Sequence, residues 1–219
     1  MVDIFDEVDE ELRAERAQLL LKRYAGLIIA AALLIVAAAG GWQGWNWWQA
    51  RQDAAAAQRY LAASALADAP ALDAVRRAAV ISEFDALAGS APDGYRTLAR
   101  LRAAALQADA GNLPAAIGLW NEVATDSAAD PLLRDLASLM WAEHQIDTGD
   151  PSVLAARLKA LAEPGNPWAP LAQEQIALLD MRQGKTASAR TTLEQLAHNL
   201  TAPEGLRGRA AGLLTRLGG

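Results

Sequence analysis

Residues 98–124 read LARLRAAALQADAGNLPAAIGLWNEVA, and the frame they set recurs twice downstream. The frame turns on Gly111, matched by Gly149 and Gly184 at spacings of 38 and 35 residues. Each glycine closes one helical stretch and precedes a polar or charged residue, Asn112, Asp150 or Lys185. Glycine suits the left-handed turn that ends a helix. Thirteen residues before each glycine stands a leucine (Leu98, Leu136, Leu171), and twelve before it an alanine (Ala99, Ala137, Ala172). Seven before stands another alanine (Ala104, Ala142, Ala177). Nine residues after the glycine comes a large apolar residue (Trp120, Leu158, Leu193). Twelve after come Val123, Leu161 and Leu196, and thirteen after come Ala124, Ala162 and Ala197.

Small residues at fixed places let two antiparallel helices approach, and large ones fill the groove against the next pair. One pair cannot bury its apolar face alone, so the pairs stack. The frame predicts helix pairs near 94–109 and 114–125, near 131–147 and 151–163, and near 168–182 and 186–199. Upstream, Asp53–Asp68 and Leu72–Ala88 read as a divergent first pair in which Phe84, Leu87 and Ala88 repeat the second-helix pattern. Glu204–Leu217 reads as a single closing helix. Pro70, Pro92, Pro131, Pro167 and Pro203 fall between helices, where proline belongs. Asp130-Pro131 and Asn166-Pro167 read as N-caps followed by a first-turn proline. The segment after Ala50 is dominated by Ala, Leu, Arg, Glu, Gln and Asp and is poor in β-branched and aromatic residues, which favours helix over strand.

An uncharged run from Tyr24 to Ala50 lies between Lys22-Arg23 and Arg51. A helix from Tyr24 to Trp42 would rise roughly 27 Å, close to the ~30 Å hydrocarbon core of a bilayer. Tyr24 on one side and Trp42, Trp45, Trp47 and Trp48 on the other read as membrane-interface anchors. Arg13, Arg16, Lys22 and Arg23 precede the span and only Arg51 and Arg59 follow closely, so the N-terminus is expected inside the cell and the C-terminal part in the periplasm. Gly40 and Gly44 form a small-xxx-small pair that lets another helix approach. A competing reading takes Ala37-Ala38-Ala39 before Gly40-Gly41 as a signal-peptidase site, although a cleaved signal usually opens with a short basic segment and this one opens with an acidic tail.

The fold class is therefore expected to be all-α, a single transmembrane helix followed by an α-solenoid of degenerate helix pairs. Three parts are expected: an acidic cytoplasmic tail (1–23), a transmembrane helix with its Trp belt (24–48) and a periplasmic repeat domain (49–219). In the tail, Ile4, Phe5, Val8 and Leu12 fall on one helical face, which suits docking on a cytoplasmic partner.

Catalytic signatures are missing. His144 and His198 lie in different repeat units without metal-ligand spacing and read as surface or groove-edge residues. No serine sits in a nucleophile motif, no glycine-rich phosphate loop is present, and the chain has no cysteine. The net charge of −6 does not suit nucleic acid. No enzyme activity, cofactor, metal or small-molecule substrate is expected. Arg76, Arg77, Arg96 and Arg100 stand near Asp73, Glu83 and Asp93 and are expected in solvated ion pairs. Trp120, Trp141 and Trp168 are expected in packing between helices, with Trp168, at a helix start, the candidate partner-contact residue.

A unit of this length, with Gly at the turn, a small residue five later (Ala116, Ala189; Leu154 departs) and a bulky one nine later, resembles the tetratricopeptide repeat. The whole layout is more specific. A tail opening Val2-Asp3-Ile4-Phe5-Asp6-Glu7-Val8, then basic residues, one span with Trp after it, and the repeat domain are similar to the ancillary subunit family of the bacterial Sec translocon. That resemblance implies a single-pass inner-membrane protein whose partners are translocon subunits, periplasmic chaperones or exported clients. The alternative is a cleaved, soluble periplasmic module coordinating cell-envelope or cell-division assembly.

Overall fold

The computed structural model describes residues 4–70 and 73–218, with side chains from Lys22 onward except that of Ile28. Among the described residues the chain forms nine helices and no strand: α1 (Ile4–Ala67), α2 (Ala74–Ser90), α3 (Asp93–Asp109), α4 (Leu113–Thr125), α5 (Pro131–Glu143), α6 (Pro151–Leu161), α7 (Ala169–Arg182), α8 (Thr186–His198) and α9 (Glu204–Arg216). They divide into two units, Met1–Gln52 and Asp53–Gly219. The side chains of Ile4, Phe5, Val8 and Leu12 and the expected helix start at Leu72 lie outside the described residues.

The first unit holds the apolar run. Leu27, Ile29, Leu33, Leu34, Ile35 and Val36 are all exposed, as are Trp42, Trp45, Trp47 and Trp48. This helix is long and apolar enough to cross a membrane.

In the second unit the repeat frame and the burial pattern coincide. Ala99, Ala137 and Ala172, and likewise Ala104, Ala142 and Ala177, are fully buried, where they let paired helices close up. Trp120, Leu158 and Leu193 are buried, and so are Val123, Leu161 and Leu196. Phe84 and Leu87 take the same places in α2 and pack with Ala56 and Ala63 from the end of α1. Consecutive helices pack against each other from α2 to α9. First helices of neighbouring pairs also touch, α5 with α7 and α7 with α9, and among the described residues no pair of second helices makes a comparable contact. The first helices therefore line the tighter side of the stack.

Side chains reaching about one repeat length fix the register between units. Arg157 donates to Asn121 Oδ1 at 2.8 Å, and the Trp168 indole N–H donates to the Leu132 carbonyl at 3.0 Å. Arg182 donates to the carbonyls of Ile146 (2.7 Å) and Gly149 (2.9 Å). Arg209 holds Glu174.

Several expectations are corrected. Helix α5 stops at Glu143 rather than near 147. The Gln145 side chain donates to the Trp141 carbonyl at 3.1 Å, and the Gln145 backbone N–H turns instead to Ala142 (3.1 Å), which breaks the helical ladder. Asn166 does not cap α7: its side-chain oxygen accepts from the Trp168 N–H at 2.9 Å in a preceding turn, and the helix starts at Ala169 with Pro170 in its first turn. Asp130 caps as expected, accepting from the Leu132 N–H at 2.8 Å. Glu83 pairs with Arg59 (2.7 Å) rather than with the nearby arginines. Arg100 pairs with Asp126 of α4's C-terminus at 3.0 Å in a partly buried bridge, because the neighbouring helix brings a carboxylate closer than its own helix does.

The three frame glycines do not share one role. Gly111 and Gly184 have φ of 79° and 73°. Each donates to the carbonyl three residues back (2.9 and 3.0 Å), and the next N–H reaches five back (2.9 and 2.8 Å), the double closure of a Schellman turn. Gly218, with φ of 77°, follows α9 by the same two residues and marks α9 as a further first-type helix. Gly149 is not left-handed. A Cβ there would lie 2.9 Å from the Gln145 carbonyl oxygen and 3.2 Å from Leu154 Cδ1, so it is glycine because the preceding turn and the Leu154 side chain of α6 crowd the position. Gly149→Ala is expected to cost about 1–3 kcal/mol through forced backbone displacement, and Gly111→Ala about 1–2 kcal/mol through left-handed strain alone. Urea unfolding of the two variants checks both losses.

Asp150 caps α6. The Ser152 hydroxyl, then the N–H groups of Val153 and Ser152, hold its carboxyl below the ordinary 3.8, and Arg182 adds to the effect. A depressed folded pKa gives stability that is present above the unfolded value and lost as pH falls through the folded one. Asp150→Ala should therefore lower the thermal midpoint at neutral pH, and the difference from wild type should shrink as the buffer is taken below the ordinary Asp value of ~3.9. A pH-independent difference would count against the cap.

Candidate functional site

The repeat frame also exposes where packing is abandoned. Ten residues before the frame glycine stand Leu101 and Leu139, and then Glu174. Nine before stand Arg102, Met140 and Gln175. Glu174 occupies a place built for leucine and is only 5% exposed. Gln175, 7% exposed, is its neighbour.

Both line a groove of about 710 Å³ on the side formed by the first helices. α5 supplies Glu143, α7 supplies Glu174, Gln175 and Leu178, and α9 supplies Arg209, Gly212, Leu213 and Arg216. Arg209 grips Glu174 with two hydrogen bonds, Nε to Oε1 and one terminal nitrogen to Oε2, both 2.7 Å. That grip, together with the fields of Glu174 and Glu143, holds the Arg209 guanidinium above its ordinary pKa despite the opposing effect of burial. The pair neutralises itself and pins α9 to α7. Gln175 Oε1 is different: it is buried and has no hydrogen-bond partner. A buried acceptor left unmade costs about 1–3 kcal/mol, so such atoms ask for an explanation.

The arrangement has charge, an amide and two leucines along one trough, which suits holding a ligand rather than reacting with it. Among the described residues no group of three or more His, Asp or Glu side chains could hold a metal ion.

The sequence profile of the Tetratricopeptide repeat-like domain matches residues 20–207. The chain belongs to the tetratricopeptide repeat-like domain family. No curated protein and no solved structure matches the chain. Tetratricopeptide repeat-like domains bind protein partners and are in general scaffolds rather than enzymes.

Against the family's helix-pair frame, the residues singled out by sequence fall as follows. Trp168 is half-buried at the start of α7, with its indole N–H committed to Leu132. Trp120 is buried and stacks on His144, ring centroids 4.4 Å apart. His144 donates through Nδ1 to the Met140 carbonyl at 3.0 Å and is part of the packing rather than a solvated surface group. His198 is exposed. The Arg157 guanidinium lies over Trp141, 4.0 Å from the ring centroid, and burial lowers its pKa. In the first unit, Trp45 and Trp48 pack at 5.3 Å between centroids, and Arg51 covers the Trp47 ring at 4.6 Å. A Cβ at Gly40 or Gly44 would meet nothing within 4 Å in the chain. None of these residues lines the groove. Its residues escaped sequence reading, although the change from leucine to glutamate at the tenth position before the glycine was the signal that marks them.

Proposed function

We propose that the chain is a membrane-tethered protein–protein interaction scaffold. The observation that carries this reading is the pairing, in one polypeptide, of a helical stretch whose apolar side chains Leu27, Ile29, Leu33, Leu34, Ile35 and Val36 are in the open with a repeat domain whose first helices form a groove. An exposed apolar surface of that extent calls for a bilayer or a partner to cover it. Residues 24–48 would span the membrane, with Tyr24, Trp42, Trp45, Trp47 and Trp48 at the headgroup layers and Gly40 and Gly44 facing another helix. Residues 1–23 would lie in the cytoplasm and 49–219 in the periplasm of a bacterial cell, following the basic residues before the span. The tether raises the domain's effective concentration near a membrane channel. The resemblance to the Sec translocon's ancillary subunit supports translocon subunits, periplasmic chaperones or exported clients as partners. Trp168 would meet a partner through its ring face. No catalytic role, cofactor or small-molecule substrate is proposed.

Crosslinking in living cells followed by detergent purification tests the reading. Recovery of translocon subunits or chaperones is the expected result, and their consistent absence would overturn the assignment. The Ala37-Ala38-Ala39-Gly40-Gly41 sequence favours one second reading, a cleaved soluble module serving cell-envelope or cell-division assembly. Mass spectrometry of the mature N-terminus separates the two, since a start at Gly40 leaves no anchor.

A further inference from the structure

We infer that the groove between the end of α1 and α2 is a contact between two copies of this chain, packed about a two-fold axis that runs along the groove.

The groove has a volume of about 370 Å³. α1 supplies Arg59, Ala62 and Leu66 to it, and α2 supplies Ala79, Val80 and Glu83. α3 packs against this first pair through Ala99, Ala103 and Leu106. No such cover reaches the groove: among the described residues its walls come from α1 and α2 alone. A repeat array needs polar residues on its terminal faces to stay in solution. This face departs from that rule. Leu66 is 61% exposed, and Val75, one turn before Ala79 on the same side of α2, is 81% exposed.

The order of residues along the two helices names the occupant. Arg59 meets Glu83 at one end of the groove, Ala62 and Ala79 come in the middle, and Leu66 and Val75 stand at the linker end. A two-fold axis along the groove lays α1 of one copy over α2 of the other without shifting either lengthwise. Arg59 then faces Glu83 of the second copy, Ala62 faces its Ala79 and Leu66 faces its Val75, and the reverse contacts follow by symmetry. Charge meets opposite charge, small meets small and apolar meets apolar. An axis across the groove would set Leu66 and Val75 against the charged end, which the cost of desolvating a charge opposes.

The ion pair keeps bonds in reserve for this contact. Arg59 Nε at 3.0 Å and one terminal nitrogen at 2.7 Å both donate to Glu83 Oε1. Among the described residues Glu83 Oε2 and the other terminal nitrogen of Arg59 have no hydrogen-bond partner, and the side chains are 44% and 46% exposed. One unused acceptor beside one unused donor is its own complement under a two-fold rotation. Ala62 and Ala79 carry nothing beyond Cβ, so the facing helices can close up. Copies anchored in one membrane, as proposed above, meet at raised effective concentration.

The chain has no cysteine, so introduced ones report cleanly. Two differently tagged full-length chains, one with Ala62→Cys and one with Ala79→Cys, are co-expressed and oxidised in membrane vesicles. They should form far more disulfide-linked pairs than Ala62→Cys with Ala160→Cys, an exposed position on α6. Sedimentation of the native full-length chain in detergent should show a dimer. Arg59→Glu alone and Glu83→Arg alone should each weaken it about tenfold, and mixing the two variants should restore it, because opposite charges again face each other across the axis. Both residues are part-exposed, so neither change should unfold the chain, and circular dichroism verifies this. Leu66→Glu should weaken the dimer as well. A monomeric native chain without the 62–79 disulfide overturns the inference. So does a dimer indifferent to these changes, which would have its contact elsewhere, and so does capture of the Ala62→Cys chain by a different protein alone. None of these results removes the scaffold proposal, whose partners are sought by crosslinking the native chain in cells.

Discussion

Trp120→Ala is expected to remove about 3–5 kcal/mol from the folded repeat domain, the range for truncating a buried aromatic. Trp120 is 2% exposed and stands at the centre of the cluster made by Ala104, Ala116, Val123 and Ala137. Three of those neighbours are alanines, which have no spare side chain with which to fill the void. The His144 ring would lose its stacking partner as well. At about 2–4 °C per kcal/mol for a domain of this size, the thermal midpoint should fall by roughly 6–20 °C. Trp120→Leu supplies the residue that Leu158 and Leu193 provide at the equivalent place, and it should recover a good part of the loss. Repeat arrays are stabilised by nearest-neighbour interfaces, so hydrogen exchange should rise first in α3, α4 and α5. A uniform rise across α2–α9 would show that the array behaves as one cooperative block instead.

The second large effect is an asymmetry. Arg209→Ala should cost about 1–3 kcal/mol because it strands the Glu174 carboxylate in a buried place. The value stays below that for a fully buried pair because the Arg209 side chain is itself 56% exposed and water shares the load. Glu174→Leu, by contrast, restores the residue that Leu101 and Leu139 hold in the earlier units. It should be neutral or stabilising, as replacement of buried ion pairs by packed apolar groups often is. Chemical denaturation of the two variants and of the double variant checks this. Equal losses from both single changes would mean that the bridge itself, rather than relief of a buried charge, carries the stability.

The pair frame was legible because its signal is repeated. Alanines that are buried at the same offsets in three units cannot be explained by composition, and the same offsets located Phe84 and Leu87 in a unit that lacks the frame glycine. Helix ends were less legible where a side chain competes with the backbone. Gln145 and Asn166 each redirect one hydrogen bond, and each moves a boundary that periodicity had extended or advanced. The frame glycines looked equivalent because a one-letter pattern does not distinguish a left-handed turn from a close approach; Gly149 shows that the same residue answers both needs. The groove was not legible from motifs, since it holds none. It arises where the pattern breaks at Glu174 and Gln175, and its other walls are Glu143 and Arg216, 31 and 42 residues from Glu174 in the sequence.

Most of the stitches between units reach back toward the N-terminus, whereas Arg77 and Arg190 reach forward to the Asp109 and Leu217 carbonyls. Arg157, Trp168, Arg182 and Arg209 each sit on the later unit and fasten a group on the earlier one. Every hairpin from α4 onward is thus clasped by its successor. Shortening the chain from its C-terminal end would then loosen the hairpin left exposed as well as removing the one cut away, and fraying would travel backward through the array.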